Sequence, residues 1–253
     1  MTTGQSNNNR RHKVLLAADA GSYSITTVNL AVAMAASTNT LLQGLFIEDE
    51  DLLQVTGLPC SREITLTTAT ERPLSSDQMQ RSLQRAARHF EQTLQREAQA
   101  LQVAWSCETV RGRVRDIGSI PKAEATYTIF ARPTANRLQS GRAQVARKIL
   151  VLGNDSPCQQ QALDMLLLRP GHERIELTFS DGDSNSVVLA EKSQRMLFRD
   201  NEVRLIEIRR SQLLARLAEM GSAFDYAIIS RRENAEDMLL ILSMLRCPVI
   251  LVD

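Results

Sequence analysis

The sequence predicts an α/β protein of two tandem domains, each a parallel sheet with helices on both faces. Three observations predict this. An apolar run that ends in an acid, Lys13–Asp19, returns as Lys148–Asp155. Self-similarity at a spacing of about 135 residues marks two copies of one unit. Short apolar strands alternate with amphipathic helices over short connections, the pattern of a parallel sheet buried on both faces. The length, 253 residues, suits two domains at roughly 100–150 residues each, although one barrel would also fit.

Residues 1–12 are polar and mildly basic and read as a disordered tail. The first strand, Lys13–Asp19, is followed by Gly21 and Ser22. A helix then runs over 24–36, with Ile25, Val28, Val32 and Ala36 at near-helical spacing. Strand Leu41–Ile47 ends at the acidic cluster Glu48–Asp51. The insertion 48–74 reads as a long loop, rich in Thr and carrying Leu52, Leu53, Val55, Leu58 and Ile64. A loop of that length in a compact domain is usually functional or interfacial. A long helix covers 75–101, capped by Ser75 or Ser76, with a thin apolar stripe and a surface of Gln and Arg. Strand Val103–Val110 holds the single tryptophan, Trp105, and strand Thr126–Ala131 is the fourth. A fifth strand of the first copy is not evident, because the stretch after Arg132 is polar.

The second copy reads more simply. Strands 148–153, 174–180, 203–208, 225–230 and 248–252 alternate with helices 158–168, 185–199, 210–220 and 234–245. Right-handed crossovers leave flavodoxin-like or Rossmann-like topologies. The domains are therefore 13–146, with its insertion, and 147–253.

Composition excludes several functions. Lys+Arg is 30 and Asp+Glu is 29, a net charge of +1. A general nucleic-acid or anionic-membrane binder needs a basic excess. All but four of the basic residues are arginine. Cys60, Cys107, Cys158 and Cys247 lie far apart, forming neither a zinc knuckle nor a disulfide framework. No apolar run is long enough to span a bilayer, and the start lacks an apolar signal core, so the expectation is a cytoplasmic protein. There is no Walker loop, no Gly-x-Gly-x-x-Gly and no nucleophile elbow. His12, His89 and His172 have no nucleophile placed beside them by sequence, so no catalytic residue is assigned.

The opening Val14-Leu-Leu-Ala-Ala-Asp19-Ala-Gly-Ser22 and the close Arg246-Cys-Pro-Val-Ile-Leu-Val252 resemble the universal stress protein family in tandem form. Gly44–Asp49, followed by Asp51-Leu-Leu and Gly57–Ile64, is similar to an insertion in tandem bacterial members. The resemblance spans about residues 13–253. It implies a sheet order 3-2-1-4-5 in each copy, side-by-side association and a stress-response role. Nucleotide-binding members carry a Gly-x2-Gly-x9-Gly-Ser/Thr loop after the fourth strand, whose backbone N–H groups face phosphates. Here the first copy has one glycine in that stretch, Gly141, and the second copy, Ser230–Asp237, has none. With only 11 glycines in the chain, the resemblance implies lost phosphate loops and disfavours ATP or AMP as a cofactor.

The residues left as ligand candidates are Asp19, Ile47, Asp155, Arg231 and Arg232. The resemblance puts both aspartates near an adenosine and Ile47 near an adenine, while arginine grips phosphate bidentately. The alternatives are turns or caps for the aspartates and a solvated pair for the arginines. The cluster Glu48–Asp51 lacks calcium-loop spacing and reads as a solvated patch or a partner for arginines; no metal is expected. Leu52, Leu53, Leu58 and Ile64 are the interface candidates, packing on the other copy or across a homodimer, with a self-packed flap as the alternative. The expected activity is that of a non-enzymatic stress-response protein acting through protein contacts or self-association. A nucleotide or anion sensor is second and a weak nucleotide hydrolase third. No nucleic-acid or membrane partner is expected.

Overall fold

The structure is a computed structural model. It describes residues 13–58, 61–65, 69–112, 125–132, 147–153, 157–167, 174–180, 202–220, 223–231 and 235–252. The first part of the chain forms β1 (Lys13–Asp19), α1 (Ile25–Thr38), β2 (Leu41–Asp49) and α2 (Glu50–Val55). It continues through β3 (Arg62–Thr65), β4 (Thr70–Pro73), α3 (Ser76–Ala100), β5 (Trp105–Gly112) and β6 (Tyr127–Phe130). The later part forms β7 (Arg147–Leu152), α4 (Pro157–Leu167), β8 (Arg174–Ser180) and β9 (Glu202–Ile208). After a 3-10 turn, Arg210–Gln212, come α5 (Leu213–Met220), β10 (Tyr226–Ser230), α6 (Ala235–Met244) and β11 (Val249–Val252).

Nine strands form one sheet in the order β5-β2-β1-β6-β11-β10-β7-β8-β9. Every pairing in it is parallel except β6 with β11. On one side of that antiparallel seam the order within the half is 3-2-1-4, and on the other it is 3-2-1-4-5. The far edge of β6 is occupied by β11, in register Val249↔Phe130 through Val252↔Tyr127. Because the seam is antiparallel, the carboxyl ends of the strands in the two halves face opposite ends of the sheet.

The central strands are buried on both faces, as their continuous apolar runs require. One face carries α1, α3 and α4 over a core that includes Phe46, Phe90, Leu94, Ile129 and Ile228. The other carries α5 and α6 over Leu150, Ile229, Leu213 and Ile241. The architecture is thus a large, mainly parallel sheet flanked by helices, of the flavodoxin-like kind. Each fully buried Leu, Ile or Phe contributes roughly 1.5–3 kcal/mol, and this distributes the core along the whole sheet.

Local signals explain the element ends. Ser24 caps α1, its hydroxyl accepting from Thr27 N at 3.2 Å. Asn39 ends that helix in the left-handed region, with φ 49°, which Asn tolerates. Ser75, not Ser76, sits at the start of α3, and its side chain makes no capping bond. Gln102, at φ 55°, turns the chain out of α3 while Val103 N donates to Ala98 O at 2.9 Å. That turn is why the strand expected at Val103 starts at Trp105.

The insertion differs most from its expectation as a loop. It holds α2 and the β3–β4 hairpin, a separate two-stranded sheet. Asp49 caps α2, accepting from Asp51 N at 3.0 Å. The expected helix 210–220 is split into the 3-10 turn and α5. The tail 1–12, the helix expected at 185–199, Cys60, His172 and most of the polar stretch 132–147 lie outside the described residues.

Candidate functional site

In doubly wound sheets ligands bind beyond the carboxyl ends of strands, where the order reverses. In the first half this point lies between β1 and β6. The register Ala17↔Phe130 continues to place Asp19 beside Arg132. Asp19 closes a turn with its own carboxylate: Oδ1 accepts from Gly21 N at 2.7 Å, and Asp19 N donates to the Ser22 hydroxyl at 2.9 Å. This is the turn role weighed for it from sequence. Ser22 is itself buried.

Arg132 is the cation at this point. Burial pulls its guanidinium below the usual arginine range; the neighbouring Asp19 opposes that, and Arg246 reinforces it. Its Nε is buried without a hydrogen-bond partner among the described residues. Cys247, next to Pro248 at the start of β11, lies close enough to act on it electrostatically. Burial pushes the Cys247 thiol up to about 12, so it is a core thiol and not a nucleophile.

The other candidates are placed differently. Ile47 pairs with Asp19 in register, but its side chain is 2% exposed within the core. Arg231 follows β10, at the opposite end of the sheet from Asp19. Its backbone N donates to Val252 O at 2.8 Å. Its guanidinium donates to Ala125 O at 3.4 Å and to the Thr128 hydroxyl. Arg231 therefore ties the second half to β6 of the first. Asp155 and Arg232 lie outside the described residues. Asp19 and Arg231, one of the pairings considered from sequence, are not brought together.

Sequence reasoning passed over Arg132. The signal was present: Tyr127-x-Ile129-x-x-Arg132 repeats as Tyr226-x-Ile228-x-x-Arg231. The paired registers Val14↔Tyr127 and Ile149↔Tyr226 make the two arginines equivalent. One faces the first-half crevice and the other crosses the seam.

A second surface is formed by the insertion. Leu52, Leu58 and Ile64 are 42%, 60% and 62% exposed, Val55 is also exposed and Leu53 is partly buried. The surface is held to α3 through Thr56 Oγ1 and Ser76 Oγ, 2.8 Å apart. On the hairpin, Arg72 makes a bidentate pair with Glu63, both bonds 3.0 Å, and Arg62 reaches Glu71 at 3.2 Å. Of the acidic cluster, Glu48 faces Arg111 at 3.4 Å and Asp49 is a cap. Among the described residues no group of three or more His, Cys, Asp or Glu is gathered in a way that could hold a metal ion. No helix among them is long and apolar enough to cross a membrane.

Strand order and register define a doubly wound α/β protein. No family model matches the chain, and no curated protein does. Among solved structures it is similar to a universal stress protein from Archaeoglobus fulgidus, at 12% identity and TM-score 0.44, covering 95% of this chain and 96% of that one. At those values the fold class rests on the sheet described above.

Proposed function

We propose that this chain is a tandem, universal-stress-type protein that acts through protein contacts and turns over no substrate. The matching strand orders and the repeated Tyr-x-Ile-x-x-Arg support two copies of one unit. The stress-response role rests on the strand-end resemblance noted from the sequence. The observation that carries the contact reading is the apolar insertion surface, Leu52, Val55, Leu58 and Ile64, all exposed among the described residues. A Leu52→Asp/Leu58→Asp variant tests it by size-exclusion chromatography with light scattering and by thermal melting. Loss of association with retained melting temperature supports the reading. Unchanged association together with unchanged stability contradicts it.

Arg132 favours a second reading, a sensor of a small anion or nucleotide at the first-half crevice. A half-buried arginine whose buried Nε has no hydrogen-bond partner among the described residues, at a topological switch point, suits an anion. Thermal shift with ATP, AMP, cyclic dinucleotides and Mg²⁺ separates the two readings. A ligand at 100 times its Kd stabilises by about 2.7 kcal/mol. Under the sensor reading that shift vanishes in Arg132→Met; a flat response across the panel removes it.

A further inference from the structure

The antiparallel seam brings opposite strand ends together. Across it the carboxyl end of β6 meets the start of β11, with Val249 paired to Phe130. Continuing that register by two residues sets Cys247 opposite Arg132, just as β1 sets Asp19 beside it. Ala17, Phe130 and Cys247 belong to one core, so alternation along β1 and β6 puts Asp19 and Arg132 on that same face of the sheet. The helix α6 packs there too, through Ile241 and Leu242. Arg246 lies in the link 245–248, by which the chain comes down from α6 to β11. The first-half crevice is thus walled by both halves, and each half brings one arginine. Neither is engaged. Arg132 makes no hydrogen bond or ion pair with another described residue, and its Nε is buried. Arg246 is exposed and has no ion pair among the described residues. The two lie within electrostatic reach of each other, an unfavourable arrangement for like charges. The acids nearby are committed elsewhere. Asp19 Oδ1 accepts from Gly21 N at 2.7 Å, and Asp225 Oδ2 accepts from Lys148 N at 2.8 Å.

We propose that Arg132 and Arg246 form a clamp for a single phosphate group, so that the bound ligand ties the second half to the first. This rests on the sensor reading above and adds to it a ligand chemistry and a contribution from the other half. A phosphate monoester carries about −1.5 to −2 charges at neutral pH and three strong acceptor oxygens. That answers two guanidinium groups at once, each able to bond two oxygens. A lone carboxylate carries one charge and leaves one arginine unanswered. A polyphosphate needs a run of backbone N–H groups, and the sequence has no glycine-rich loop after β6 to provide it. The ligand is therefore one phosphate, free or as a monoester.

The test is titration calorimetry of the full-length chain with inorganic phosphate, AMP, ATP and acetate at constant ionic strength. Phosphate or AMP should bind once per chain and more tightly than acetate. Tighter binding of AMP than of phosphate marks a monoester as the ligand, and equal binding marks the free ion. Arg132→Met and Arg246→Met should each weaken that binding at least about tenfold. Bound phosphate should also slow amide exchange at 130–132 and at 245–247 together. Should Arg132→Met unfold the chain, as seen by far-ultraviolet circular dichroism, Arg246→Met and Arg246→Glu carry the test, because Arg246 is exposed. Binding that is lost in Arg132→Met but undiminished in Arg246→Met overturns the clamp and retains the sensor reading. So does binding of ATP without binding of phosphate or AMP, or protection confined to 130–132. Acetate bound as tightly as phosphate overturns the ligand chemistry proposed. No binding by any of the four overturns both readings.

Discussion

Replacing Gly44 with alanine tests the packing of α3 on β2. A Cβ built at Gly44 would lie 2.5 Å from Leu94 Cδ2, 3.2 Å from Phe90 Cε1 and 3.3 Å from Cys107 Sγ. Comfortable carbon contacts are about 3.5–4.0 Å, so Leu94 has to retreat by roughly 1 Å. It has nowhere to go, since Leu94 and Phe90 are both fully buried. Overpacking of this kind costs typically about 1–3 kcal/mol. Against it, alanine in a strand is favoured over glycine by roughly 0.5–1 kcal/mol. The net expectation for Gly44→Ala is a loss of about 1–2 kcal/mol. For a chain of this size each kcal/mol moves Tm by about 2–4 °C, so the melt should fall by about 2–8 °C. Differential scanning calorimetry and urea unfolding read both values. In a Leu94→Ala background the clash is gone, and adding Gly44→Ala should be neutral or mildly stabilising. A higher Tm for Gly44→Ala alone, or the same loss in both backgrounds, would refute the reasoning.

Other expectations follow from named contacts. Arg231→Met removes the tie from the second half to Thr128 and Ala125. Stability should drop by about 1–3 kcal/mol, and hydrogen exchange should quicken in β6 and β11 before it does in β8. Burial raises the Cys247 thiol to about 12 and the Cys107 thiol to about 11, from an ordinary 9.0. The folded chain thus keeps its protons where the unfolded chain loses them. The stability these thiols contribute is whole below pH 9 and declines as pH rises from 9 toward 12. Denaturant midpoints measured across that range should fall, and Cys107→Ser/Cys247→Ser should flatten the slope. In the native protein at pH 8, a disulfide reagent should modify both thiols far more slowly than in the unfolded chain.

Much of the fold was legible because burial on both faces leaves continuous apolar runs. Lys148–Gly153 and Arg174–Ser180 needed no more than that, and Ser24 announced its helix by its capping chemistry. The insertion was not legible. The six residues of α2 fall short of any window in which helical period can be told from chance. The hairpin turn carries no Asn-Gly or Asp-Gly signal. Pairing across the seam was hidden for another reason: β11 reads as the end of its own half, and nothing in Val249–Val252 tells which strand takes its other edge. The candidate site was legible in part. Asp19 lies at a strand end, as expected. Arg231 turns away to bind across the seam, because the C-terminal strand β11 beside it leads straight to β6. Arg132, its equivalent, was legible in the repeated Tyr-x-Ile-x-x-Arg, but its burial beside Asp19 follows from the β1–β6 register.

The claim that the insertion is a contact surface is tested most directly by hydrogen exchange on the unaltered chain at low and high concentration. The account predicts that amides of 50–58 and 62–65 become protected as concentration rises, while β7 to β9 stay unchanged. Exchange that is identical at every concentration, or protection appearing instead along the edge strand β9, would contradict it.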